Sequence, residues 1–217
     1  MKKGDKGHEV KALQMKLNKI LDISLVLDGD FGAKTEKAVK VFQSSYAPVQ
    51  SGVVSDFLLH EIDSKYAELI SKLGTMTDAF NFALKYYGLK EIKGNVHEPI
   101  IIDMFAEIGH KWVLNDELAW CSTFANFVCK MTGYEYTGKL NARSWLEVGI
   151  EVEVPKLGDI VVFWRNGIDS AFGHVGQYVN ETETHIYVLG GNQSNMVRIS
   201  AYPKNRVLSI RRMSKIK

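Results

Sequence analysis

The chain has 217 residues, of which 46% are hydrophobic and 24% charged, and it contains two cysteines. Those proportions exclude a disordered polymer and a disulfide-dense secreted scaffold. A formal charge of +2 excludes nucleic-acid binding driven by net charge, although residues 204–217 gather six Lys/Arg and no acid.

The opening Met1-Lys2-Lys3-Gly4-Asp5 is basic but leads into a charged, periodic segment, so no signal peptide is read there. No run reaches the ~20 apolar residues of a membrane helix. The expectation is a cytoplasmic chain, without stable membrane insertion, that something else releases.

From Glu9, the residues Val10, Leu13, Leu17, Ile20 and Leu21 recur at helical spacing and predict a helix over about 8–21. The run Leu27-Asp28-Gly29-Asp30-Phe31-Gly32 predicts a turn. A second helix starts near Ala33 or Thr35, with Ala38, Val39 and Phe42 on one face, and should stop before Ala47-Pro48. A turn at Gly52 to Asp56 then leads to a third helix through Phe57, Leu58, Ile62, Tyr66, Leu69 and Ile70. Asp28 and Asp30 suggest a calcium loop, but Gly32 and Val39 occupy its fifth and twelfth positions, where oxygen ligands are needed. No metal is expected.

Gly4, Gly7, Val10, Leu13, Gln14 and Leu17 followed by Asp28-Gly29, Phe31-Gly32, Thr35, Ala38-Val39 and Phe42-Gln43 resemble the three-helix peptidoglycan-binding repeat. Gly52-Val53-Val54-Ser55-Asp56 looks like a degraded start of its second half. The resemblance implies a wall-binding module with a shallow groove for muropeptides. Asp28, Asp30 and Gln43 are its candidate polar contacts, with turn and cap duties as the competing reading.

A second domain follows. Thr77 or Asp78 can cap a helix from Ala79 to Tyr87, and Pro99 suits the first turn of another helix ending at Gly109. From Cys121, the residues Phe124, Ala125, Val128 and Cys129 form the apolar stripe of a helix that ends at Gly133. Beyond Pro155 the pattern changes to strands over 159–164, 174–179, 185–189, 197–202 and 207–212. Helices followed by hairpins predict an α+β domain whose antiparallel sheet packs on the Cys121 helix.

A nucleophilic cysteine needs a base and a group that holds the base. Cys121 stands at a helix start, where the dipole favours thiolate. Cys129, two turns along the same stripe, reads as a packing residue; it lies ~12 Å from Cys121, beyond disulfide reach. Of the six histidines, His8, His60, His97, His110 and His185 read as solvated or capping. His174 differs, because it opens the strand His174-Val175-Gly176-Gln177-Tyr178-Val179 between two glycines that leave room for a close approach. Leu189-Gly190-Gly191-Asn192-Gln193 ends the next strand and supplies a side-chain oxygen. Cys, His, Asn is the papain-type order.

The motifs Gly88 to Gly94, Asp116-Glu117, Trp120 to Asn126, Ala142 to Leu146, Gly158 to Phe163, Gly173 to Gly176 and Leu189 to Gln193 occur in the order of a CHAP-like branch of the papain-like amidohydrolases. This resemblance implies a thiolate nucleophile at Cys121, general acid/base at His174 and orientation by Asn192, with Gln193 as an alternative third member. It implies no cofactor. Trp120, Trp145 and Trp164 are candidates for lining a substrate groove, with core packing as the competing reading. Gln193 is a further candidate substrate contact.

The expected protein has two domains: a three-helix peptidoglycan-binding module over 1–70 and a papain-like catalytic domain over 77–217. Its expected function is that of a monomeric, endolysin-like peptidoglycan hydrolase, with amidase and endopeptidase both open. The competing readings are a non-catalytic wall-binding or tail protein and a papain-like acyltransferase.

Overall fold

The computed structural model describes residues 1–45, 49–72, 74–94 and 96–216, without the side chains of residues 67 and 70–72. The chain divides into two compact units, Met1–Gly74 and Thr75–Lys217.

The first unit contains helices α1 (His8–Leu21), α2 (Ala33–Gln43) and α3 (Asp56–Lys72). Their apolar stripes meet in a core that includes Leu13, Leu17, Phe31, Val39, Phe42, Leu58 and Ile62. Two buried glutamines organise the turns between the helices. Gln14 accepts from Gly29 N–H and donates to Asp28 Oδ1 and to the Asp30 carbonyl. Gln43 repeats the pattern, accepting from Gly52 N–H and donating to Ser51 Oγ and the Val53 carbonyl. Gly29 and Gly52 share the left-handed conformation, at φ 72° and 74°, that such a turn requires. The unit is therefore an internal two-fold repeat: each glutamine satisfies one X-Gly-X turn. The expected stop of α2 at Ala47-Pro48 lies outside the described residues; α2 itself ends at Gln43.

The second unit opens with α4 (Thr77–Leu84), α5 (Pro99–Glu107) and α6 (Cys121–Met131). α4 ends one turn earlier than its periodicity predicts. Residues Lys85 to Gly88 continue as turns, and Gly88 donates its N–H to the Val197 carbonyl. The strands are β1 (Ile150–Glu151), β2 (Ile160–Trp164), β3 (Gly173–Glu181), β4 (His185–Gly190), β5 (Arg198–Pro203) and β6 (Val207–Arg212). They form one antiparallel sheet in the order β1-β6-β2-β3-β4-β5. Fold class is α+β, as the sequence predicts. β1 was not foreseen, because two residues are too few to show an alternation.

One face of the sheet, with Ile160, Val162, Val175 and Leu189, packs against Phe124, Ala125 and Val128 of α6 in the main core. The other face carries a smaller cluster of Val161, Phe163, Ile186 and Val188. Cys129 is fully buried in the main core. Asp159 and Arg212 form a buried ion pair, Nη2 to Oδ2 at 2.6 Å. Among the described residues, the C-terminal cations other than Arg206 are tied into the fold. Lys204 pairs with Glu181, Arg211 donates to the Val148 and Gly149 carbonyls, and Lys215 pairs with Asp78.

Among the described residues no helix is long and apolar enough to cross a membrane. Nor is any group of three His, Cys, Asp or Glu side chains among them placed to hold a metal ion.

Candidate active site

Cys121 is the first residue of α6, with Trp120 at its N-cap. The start of this helix is fixed from two sides. Behind it, Ser122 donates its hydroxyl to the Lys139 carbonyl at 2.7 Å and accepts from Trp145 Nε1 at 3.1 Å. Asn126, one turn on, accepts from the N–H groups of Thr137 and Gly138 and donates to the Ser122 and Lys139 carbonyls. These bonds explain why Ser122 and Asn126 stand on a buried helix: both satisfy loop backbone groups that would otherwise be orphaned.

In front, Trp120 Nε1 donates to Glu91 Oε1 at 2.6 Å. Asn192 completes this brace when its side-chain amide is oriented to satisfy both neighbours, Oδ1 then accepting from Trp120 N–H at 3.1 Å and Nδ2 donating to Glu91 Oε1 at 3.3 Å. Asn192 is thus engaged with the residue before the nucleophile. The turn that carries it has Asn192, Ser194 and Asn195 in left-handed conformations, which Asn adopts more readily than most residues.

The Cys121 side chain is buried, and burial pushes its thiol pKa up. The backbone amides of Val175 and Ser122 and the Arg165 charge pull in the opposite direction. Val175 follows His174 directly, so β3 brings the imidazole and the thiol to the same end of the sheet.

His174 pairs across the sheet with Phe163, and its ring lies on the face opposite α6. It stacks on Tyr202, with centroids 5.0 Å apart and planes at 26°, and more loosely on Phe163. Burial lowers its pKa to about 4, opposed by the Gln193 side chain. Two buried polar atoms here lack a partner within hydrogen-bond geometry, His174 Nε2 and Gln193 Oε1. One is a potential donor and the other an acceptor. The Gln193 amide nitrogen is already anchored, donating to the Val188, Gly190 and Arg198 carbonyls.

Cys121 thus lies at the end of β3 that carries His174, Gln193 lies beside His174, and Asn192 braces Trp120. Adjacent residues on one turn face different partners, which spacing alone does not resolve. Gln193 is buried as well, so it is no surface contact for substrate. Trp120 and Trp145 are both 0% exposed and line no groove. Trp164 is half-buried and donates to the Asn205 carbonyl. In the first unit, Gln43 is buried and spent on its turn. Asp28 is exposed and Asp30 half-buried; Asp28 Oδ1 accepts from Gln14 and from Asp30 N–H, and Asp30 pairs with Lys6 at 2.9 Å.

Three residues outside the expected site help to shape it. Glu91 belonged to a recognised motif, without a role. Arg143 donates to the Phe172 and Ile168 carbonyls and so holds the loop between β2 and β3. Asp116, fully buried, accepts from Ile92 N–H, Glu98 N–H and His97 Nδ1. Burial works to raise the Asp116 pKa, but those donors outweigh it and hold the carboxyl below its usual range.

Residues 6–59 match the family model described as a putative peptidoglycan binding domain. The first unit is a peptidoglycan-binding module, and cell-wall association is the function this match supports. No curated protein matches the chain.

Proposed function

We propose that the second unit is a cysteine amidohydrolase that cuts an amide of the peptidoglycan peptide, and that the first unit holds it on the wall. The observation that supports this most is the meeting of Cys121, at the start of α6, with the end of β3 that carries His174 and its neighbour Gln193.

In this reading the neutral His174 accepts the Cys121 proton as the sulfur attacks the amide carbonyl. Negative charge on the tetrahedral oxygen is met by backbone N–H groups at the start of α6, beginning with that of Cys121. The imidazolium then protonates the leaving amine, and the C–N bond breaks to give a thioester. Water, deprotonated by His174, hydrolyses the thioester and restores the thiol. In this reading Gln193 Oε1 closes on Nε2–H during the reaction, leaving the other ring nitrogen to exchange the proton. Asn192 and Glu91 hold the Trp120 backbone N–H and indole, and so fix the residue that precedes the Cys121 oxyanion donor.

An endolysin-like setting suits this pairing of modules, with the protein held in the bacterial cytoplasm until released to the wall. An acyltransferase would use the same steps with an amine in place of water. Mass spectrometry of fragments released from purified walls tests the reading. A new N-terminus within the peptide identifies an endopeptidase, and a free lactyl carboxylate on the sugar identifies an amidase. Intact walls after prolonged incubation would contradict hydrolysis and leave a wall-binding protein.

A further inference from the structure

The chain has six arginines, and they divide into two groups. Arg143, Arg211 and Arg212 are tied into the fold by carbonyls and by Asp159. Arg165, Arg198 and Arg206 are exposed and make no ion pair or side-chain hydrogen bond among the described residues. All three stand on elements that border the candidate site.

Arg165 follows Trp164, which pairs with Gly173, the neighbour of His174. Its N–H donates to the Phe172 carbonyl, at the mouth of the loop that Arg143 holds. Arg198 lies opposite Gly190, and strand alternation puts it on the same face as Tyr202, the ring stacked on His174. Arg206 ends the short turn that follows Tyr202-Pro203, with its guanidinium 5.3 Å from the centre of the Trp164 ring. All three act electrostatically on Tyr202, and Arg165 acts on both Cys121 and His174.

The nearby acids do not neutralise this group. Glu91 is engaged by Trp120 and Asn192, and Glu181 pairs with Lys204. Asp169 shares the loop with Arg165 but forms no ion pair among the described residues. Three like charges left unpaired around one site repel one another, and an anion that joins them relieves the repulsion. Guanidinium groups suit carboxylates in particular, because their forked N–H groups bind both oxygens.

We infer that Arg165, Arg198 and Arg206 form a carboxylate-reading rim, so that the site takes an acidic peptide with free carboxylates beside the scissile amide. This rests on the proposed thiol site and specifies its substrate class.

The test is calorimetric titration of the full chain carrying Cys121→Ala, which separates binding from turnover. The probes are the tripeptide Ala-γ-Glu-Lys with free carboxylates and its fully amidated analogue. The acid form should bind at least about ten-fold tighter, and the advantage should shrink as salt rises from about 0.05 M to about 0.5 M. It should fall stepwise in Arg165→Gln, Arg198→Gln and Arg206→Gln, with thermal melting to verify that each variant is folded. Equal affinity for the two peptides, no binding of either, or a preference that survives all three substitutions would overturn the rim. Carboxylate-selective binding by a protein that cuts no wall would sink the hydrolase reading and keep the rim; cutting without that selectivity would do the reverse.

Discussion

His174 and Tyr202 lie nearly face to face, with ring centroids 5.0 Å apart. The stacking closes one side of the imidazole and keeps water from it, which is why His174 titrates at about 4. Burial also moves the Cys121 thiol upward. At neutral pH the resting pair is then thiol and neutral imidazole, with the proton passing only as attack begins.

This predicts the pH profile of Cys121 reactivity. Its alkylation rate with iodoacetamide should climb from neutral into alkaline pH, with no plateau on the acid side. A preformed thiolate–imidazolium pair would instead give a flat rate across the acidic range. Cys129 is fully buried and should stay unlabelled in the folded protein.

The same burial links stability to pH. The folded pKa of about 4 lies below the reference value of 6.5, so the unfolded chain binds a proton that the native state refuses. His174 therefore contributes its full stability above pH ~6.5, and that contribution is lost as pH falls toward about 4. The loss amounts to about 3 kcal/mol at most for a gap of this size. In urea unfolding, wild type should weaken through this window more steeply than His174→Gln. Parallel acid limbs would contradict a buried neutral imidazole.

Gln193 and Asn192 are predicted to fail differently. Gln193→Ala frees the imidazole and should lower kcat by on the order of ten- to a hundred-fold, while Gln193→Glu should restore part of the rate and shift its acid limb. Asn192→Ala removes the acceptor of Trp120 N–H, loosens the residue before Cys121 and should lower kcat without moving that limb. Identical pH profiles for all three variants would contradict the separation of roles.

Much of this was legible before the fold was known. The helical spacing from Val10 to Leu21 and the strand alternation around His174 each follow from burial of one face, so they located α1 and β3 closely. The order Cys121, His174, Gly-Gly-Asn-Gln singled out the turn that lies beside Trp120 and His174. What was not legible was which of two adjacent amides faces the imidazole, because that depends on the left-handed backbone at Asn192. Trp120 and Trp145 were open to both readings, since an aromatic in a polar motif looks the same whether it lines a groove or plugs a core. Gln43 was open to both readings for a similar reason: its partners Ser51, Gly52 and Val53 meet it only through the fold.

Gly191 offers a steric test of the brace. A Cβ there would come 2.5 Å from the Trp120 ring and 2.7 Å from Phe124 Cβ. Gly191→Ala should therefore push the ring beside the nucleophile and destabilise the second unit by roughly 1–3 kcal/mol, with activity falling further than stability. An unchanged melting temperature and rate would show that the turn can move away freely.

The central claim is that Cys121 performs the chemistry. Turbidity of purified cell walls should fall with wild type and stay level with Cys121→Ala, while both proteins sediment with the walls through the first unit. Equal clearing by the two proteins would contradict the thiol mechanism.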